Sequence, residues 1–121
     1  MQESGEMYLE SIYILSRTHS HVRSIDICEY MGYSKPSISR AMSLLKASNH
    51  ILIDDDGFIT LTESGKKVAE RIYERHTLLT RMLMYLGVGE ATASEDACKM
   101  EHILSDETFE AIKARFGGLA E

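Results

Sequence analysis

Met31-Gly32-Tyr33-Ser34-Lys35-Pro36-Ser37 decides how the rest of the chain reads. Glycine takes the left-handed position after a helix without steric cost. Serine caps a following helix, and proline fits a first turn, where no intrahelical donor is lost. The stretch therefore ends one helix and starts another. Upstream, residues 24–31 read as a short helix, with Ser24 as N-cap and Ile25, Ile27 and Met31 on its apolar side. Downstream, Ile38, Met42 and Leu45, with Ala41 beside them, recur at helical spacing and form a buried stripe. Ser37, Ser39, Arg40, Ser43 and Lys46 are left for the outer side. Two short helices joined by a tight glycine turn make a helix-turn-helix pattern.

The flanks extend it. Ile51-Leu52-Ile53 and Phe58-Ile59-Thr60-Leu61 are β-prone runs around the turn Asp54-Asp55-Asp56-Gly57. This hairpin is the wing of a winged helix-turn-helix. Residues 3–17 predict a first helix, with Tyr8, Leu9, Ile12, Tyr13 and Leu15 at helical spacing. His19-Ser20-His21 is a connection. Thr62 caps a long helix to about Leu86, whose stripe includes Val68, Ile72, Leu79, Met82 and Leu83. Gly87-Val88-Gly89 stops it. Helices over 90–104 and 106–116 follow, the last ended by Gly117-Gly118. The fold class is mainly α with a small β-hairpin wing: a winged helix-turn-helix followed by an all-helical domain.

The 121 residues suit one domain or two small ones. The N-terminus is acidic and polar, no apolar run is long enough to span a bilayer, and two cysteines are too few for a disulfide framework. The expectation is a cytoplasmic protein without membrane partners. The net charge of −6 argues against nonspecific nucleic-acid binding. It is unevenly spread: residues 1–50 balance to zero, 51–89 to −1 and 90–121 to −5. A local basic surface in the first half is compatible with that distribution.

The acidic third contains Cys98-Lys99-Met100-Glu101-His102. On a helix, a thiol, a carboxylate and an imidazole at i, i+3 and i+4 share one face. All three types ligate transition metals. Three donors from one helix seldom complete a coordination shell, so further ligands are expected elsewhere. A thiolate is also stabilised at neutral pH by a nearby cation. Read singly, His76 is an ordinary helix-surface histidine, Glu10 a solvated acid and Met7 one of 7 methionines suited to core filling. Met82 and Met84 read as packing, and Cys28 as a buried structural thiol.

Taken together, these stretches resemble the diphtheria-toxin-repressor family of metal-responsive transcription regulators, with its iron-dependent and manganese-dependent branches. The resemblance rests on Glu6-Met7-Tyr8-Leu9-Glu10-Ser11-Ile12-Tyr13, the recognition helix Ser34 to Leu45, Leu61-Thr62-Glu63-Ser64-Gly65-Lys66-Lys67, Arg75-His76, and Glu95 to Ser105. It implies a winged helix-turn-helix DNA-binding domain over 1–64 and a helical dimerisation and metal-sensing domain over 65–121. It also implies that the metal ligands fall on Met7, Cys98, Glu101 and His102, which look like the iron branch. His76 matches a ligand used in both branches, and Glu10 a carboxylate of the manganese branch. Thr80 and Ser94 depart from the iron-branch ancillary site, where glutamate and histidine are expected. The SH3-like domain of long members has no counterpart in these residues.

The expected cofactor is a divalent transition metal, iron(II) or manganese(II), with zinc, cobalt or nickel as substitutes in vitro. The expected partners are double-stranded operator DNA and a second copy in a homodimer. Arg40 is suited to guanine, and Lys35 and Lys46 to phosphates. Ser34, Ser37 and Ser39 complete the DNA-binding set, the first two toward phosphates at the helix N-terminus. The acidic wing tip is a poor phosphate binder. The chain reads as a metal-dependent regulator, a repressor of metal-uptake genes, and not as an enzyme. No additional general base lies near Cys98, and there is no Gly-rich or nucleophile-elbow segment. The competing readings are a winged-helix regulator sensing a thiol oxidant or organic ligand, and a small metalloenzyme.

Overall fold

In a computed structural model, which describes residues 3–120, the order is α1 (Glu3–Ser16), α2 (Ser24–Met31), α3 (Lys35–Ala47), β1 (Ile51–Ile53), β2 (Ile59–Leu61), α4 (Glu63–Tyr85), α5 (Glu90–Ile103) and α6 (Asp106–Phe116). A 3₁₀ turn, Gly117–Ala120, follows. The chain divides into two units within α4, between Glu70 and Arg71.

The N-terminal unit is built around Leu9 and Ile12 of α1, Ile27 of α2, Ile38, Met42 and Leu45 of α3, and Ile51 and Ile59 of the hairpin. The turn between α2 and α3 has the expected local chemistry. Gly32 sits at φ 71° and its N–H donates to the Cys28 carbonyl at 2.8 Å. The Ser37 N–H donates to Ser34 Oγ at 3.4 Å, capping α3. At α2 the cap differs from expectation. Arg23 occupies the N-cap position, Ser24 is the first helical residue, and the Arg23 N–H donates to Asp26 Oδ2 at 2.8 Å. A carboxylate at the third helical position thus satisfies the cap backbone, as in half of a capping box.

The wing is an antiparallel pair with Ile51 opposite Leu61 and Ile53 opposite Ile59. Its turn is organised by Asp54, whose Oδ1 accepts from the N–H groups of Asp56 and Phe58, each at 2.9 Å. The connection after α1 also joins the sheet: Val22 bridges to Ile59, whose N–H donates to the Val22 carbonyl at 2.7 Å. Beside it the rings of His21 and Phe58 stack with centroids 4.1 Å apart, and the Arg23 guanidinium lies 4.6 Å from the Phe58 centroid.

Asn49 ends the segment after α3 in the left-handed region, at φ 64°. Its carbonyl accepts from Thr62 Oγ1 at 2.8 Å and Ser64 Oγ at 3.2 Å. Thr62 Oγ1 also accepts from the Gly65 N–H at 3.1 Å, so Thr62 caps α4 as the sequence predicts. A Cβ at Gly65 would collide with the His50 carbonyl oxygen, which explains glycine there.

In the C-terminal unit Leu79, Met82 and Ala97 are buried, with Leu83, Met100, Leu104, Ile112 and Phe116 packed against them. Met84, expected to pack, is 43% exposed. Ser105 caps α6 by accepting from the Thr108 N–H at 3.1 Å. The α-helix ends at Phe116 with Gly117 as its cap, as the sequence predicts, but the cap is right-handed, at φ −56°, and the chain tightens into the 3₁₀ turn. Glycine permits a left-handed cap without enforcing one. No helix among the described residues is long and apolar enough to cross a membrane.

Candidate metal centre and DNA-reading face

Three of the four donors predicted on α4 and α5, His76, Cys98 and Glu101, meet within the C-terminal unit, and His102 lies beside Glu101. His76 Nδ1 stands 2.9 Å from Glu101 Oε2, and Cys98 Sγ stands 3.7 Å from the same nitrogen. One donor atom from each of His76, Cys98 and Glu101 lies within 4.8 Å of the others. His102 Nε2 is 3.4 Å from the second Glu101 oxygen, and both of those side chains are 1% exposed. The cluster is graded in burial: Cys98 faces outward, His76 is half-buried and Glu101 is enclosed.

Such a donor set fits a divalent transition metal. A carboxylate excluded from water needs a compensating positive charge or donors to be stable as the anion. Here two imidazoles flank it, and a thiol approaches from the surface side. An imidazole Nδ1 carries one hydrogen at most, so it can serve thiol and carboxylate together only as a shared, weaker bond. The convergence of three lone-pair donors, soft and hard together, is the arrangement that a borderline divalent cation satisfies.

Met7 and Glu10 belong to α1 in the N-terminal unit, where Met7 is half-buried and Glu10 is 8% exposed. The buried state of Glu10 differs from the solvated acid that its residue type alone suggests. Glu95 and Asp96 are exposed, and Cys28 is only half-buried at the edge of the core. At the ancillary positions, Thr80 Oγ1 is buried with no hydrogen-bond partner among the described residues. It lines, with His76, Arg81 and Glu90, a cavity of about 430 Å³.

Arg75 was legible only as part of a matching stretch, yet its guanidinium makes three hydrogen bonds. It is 2% exposed. Its Nη1 donates to the carbonyls of Glu101 at 3.2 Å and Leu104 at 2.6 Å, and Nη2 donates to Asp106 Oδ1 at 2.6 Å. Its guanidinium carbon lies 5.0 Å from the Phe109 ring centroid.

In the N-terminal unit, α3 buries Ile38, Met42 and Leu45 and exposes Lys35, Ser37, Ser39, Arg40, Ser43 and Lys46. Ser34 Oγ donates to Ser37 Oγ at 2.9 Å while accepting the cap bond, which leaves the Ser37 hydroxyl hydrogen available. Among the described residues no ion pair engages Lys35, Arg40 or Lys46. Two apolar side chains of this unit also stand outward, Leu44 of α3 at 66% and Leu52 of β1 at 57% exposure. Sequence periodicity did not single them out.

Two family models match the chain. One, described as the iron dependent repressor N-terminal DNA binding domain, matches residues 1–50. The other, the iron dependent repressor metal binding and dimerisation domain, matches residues 62–121. An uncharacterised HTH-type transcriptional regulator of Methanocaldococcus jannaschii is 32% identical over 115 residues, covering 93% of this chain and 92% of that protein. Among solved structures, the manganese regulator SloR is 29% identical with a TM-score of 0.83, covering 93% of this chain and 53% of that one. A manganese-dependent transcriptional repressor in complex with manganese is 28% identical, also at 0.83, covering 93% and 52%. The chain thus spans about half the length of these two solved chains.

Proposed function

Because the chain belongs to the diphtheria-toxin-repressor family of metal-dependent, DNA-binding transcriptional regulators, we propose that it represses metal-uptake genes when iron(II) or manganese(II) is bound. The observation that carries this reading is the convergence of Cys98 and Glu101 on one nitrogen of His76, in a chain whose α3 presents Ser37, Ser39 and Arg40 to solvent.

His76, Cys98, Glu101 and His102 would hold the cation, with Met7 and Glu10 of α1 as the further donors that the resemblance implies. A bound cation would supply the positive charge that the enclosed Glu101 carboxylate calls for. With the metal-sensing domain ordered by its cation, the recognition helices of a two-fold dimer would be restricted to the separation that operator DNA requires, roughly 34 Å or a multiple of it. A narrower range of separations raises DNA affinity with no new DNA contact. The metal shifts the equilibrium only by its differential affinity for the competent state.

On DNA, Arg40 would read a base edge, while Lys35, Lys46, Ser34 and Ser37 contact phosphates, with Ser39 beside them. The exposed Tyr85, Leu86 and Ile103 of the C-terminal unit offer apolar surface for the second copy. The metal choice rests on a mixed donor set. Met7 and Cys98 look like the iron branch, whereas Glu10 is a manganese-type donor.

The test is metal analysis of the purified protein, then operator titrations with iron(II), manganese(II) and zinc(II) at one fixed salt concentration. The expected result is tight, specific binding only with metal. Full operator binding by metal-free protein, released by peroxide, would instead establish a thiol sensor centred on Cys98.

A further inference from the structure

Glu101 is held from two directions by consecutive residues of α4. His76 meets its carboxylate at 2.9 Å, and Arg75 meets its backbone carbonyl at 3.2 Å. The second Arg75 bond, to the Leu104 carbonyl at 2.6 Å, falls at the C-cap of α5. A helix C-terminus leaves its last carbonyls without intrahelical donors and carries partial negative charge. Arg75 answers both needs at once, with a guanidinium that is permanently charged and planar. The last turn of α5 carries Glu101 and His102, and Cys98 lies one turn before it.

We propose that Arg75 is the positioning residue of the metal centre. By clamping the carbonyls of Glu101 and Leu104 it fixes the last turn of α5 against α4, so that Cys98, Glu101 and His102 stand in register with His76 before a cation arrives. A centre assembled in advance gives up less conformational freedom on binding and holds its cation more tightly. Asp106 and the Phe109 ring orient the guanidinium from α6, and Arg71 Nη1 shares Asp106 Oδ1 at 3.4 Å. Among the described residues the side chain bonds to two carbonyls and Asp106 and to no donor atom of the cluster. It acts through the Glu101 backbone.

This proposal rests on the metal reading of His76, Cys98 and Glu101, and the experiment separates the two. The full chain, metal-free, is titrated with cobalt(II), following the thiolate charge-transfer and d–d absorption bands, alongside manganese(II) by competition. Wild type must bind and Cys98→Ala must lose the charge-transfer band; otherwise the metal reading falls and the proposal with it. With that in place, Arg75→Gln is expected to lose about 10–100-fold in affinity, the range typical when a partner outside the ligands is removed. Its d–d bands should shift as the ligand geometry loosens. Arg75→Lys keeps the charge and one donor and should recover part of the affinity. Ile112→Ala, in the apolar packing of the same unit and outside the Arg75 bonds, should lower thermal stability yet leave the cobalt spectrum unchanged. If Arg75→Gln does not fold, Arg75→Lys carries the comparison. A folded Arg75 variant with wild-type affinity and spectrum would overturn the proposal. So would affinities that fall in step with thermal stability across Arg75 and Ile112 variants alike.

Discussion

His76 Nδ1 and Glu101 Oε2 meet at 2.9 Å from helices 25 residues apart in sequence, one partner half-buried and the other enclosed. The pair therefore depends on how α4 and α5 pack, and a cation bound there stabilises that packing. At a free metal concentration one hundred times the dissociation constant, the gain is about 2.7 kcal/mol, provided that the unfolded chain does not bind. Thermal denaturation with and without manganese(II) should show it. Cys98→Ala and Glu101→Ala should remove most of the metal-dependent shift, whatever they do to the metal-free protein. A full shift in either variant would place the cation elsewhere.

Arg40→Ala should weaken operator binding by about 1–3 kcal/mol, the range for one bidentate base contact. It should leave metal affinity in the absence of DNA unchanged. Lys46→Ala should weaken all sequences alike and reduce the salt slope by about one. Fluorescence anisotropy at several salt concentrations separates the two. Equal loss on operator and random DNA for Arg40→Ala would remove it from base reading.

Linkage makes a third demand. If metal tightens operator binding by some factor, operator must tighten metal binding by the same factor. Calorimetric metal titrations with and without saturating operator measure both legs at one pH and salt. Unequal factors would mean that metal acts by another route, such as changing the oligomeric state.

Gly65→Ala forces a Cβ onto the His50 carbonyl, a backbone atom without a rotamer to escape into. Overpacking of this kind costs about 1–3 kcal/mol. The urea midpoint should fall accordingly, while Lys66→Ala at the exposed neighbouring position should leave it nearly unchanged. An unshifted midpoint for Gly65→Ala would mean that the first turn of α4 yields freely.

The winged region was legible because its signals are local. Gly32 and Ser34 do chemically what their residue types favour, and the hairpin follows from two β-prone runs around an Asp-rich turn. Arg75 was less legible for a physical reason. Val68, Ile72, Arg75, Leu79 and Met82 fall at spacings of four, three, four and three, so the arginine occupies a place on the buried stripe. A charge at such a position signals a buried partner, but the partner carbonyls lie 26 and 29 residues away and carry no sequence mark. The arrangement of His76, Cys98 and Glu101 was readable from the resemblance more than from spacing, since i, i+3, i+4 alone matches by chance. Gly117 marked the end of α6 but not the right-handed form of its cap, because glycine permits the left-handed conformation without requiring it.

The single carbonyl of Asn49, taken by hydroxyls of both Thr62 and Ser64, has a mechanical meaning. It clips the segment after the recognition helix to the first turn of the long helix, with Gly65 seated flush on His50. A torque applied to that first turn therefore reaches α3 as the rotation of one stiff lever instead of being absorbed by a slack loop.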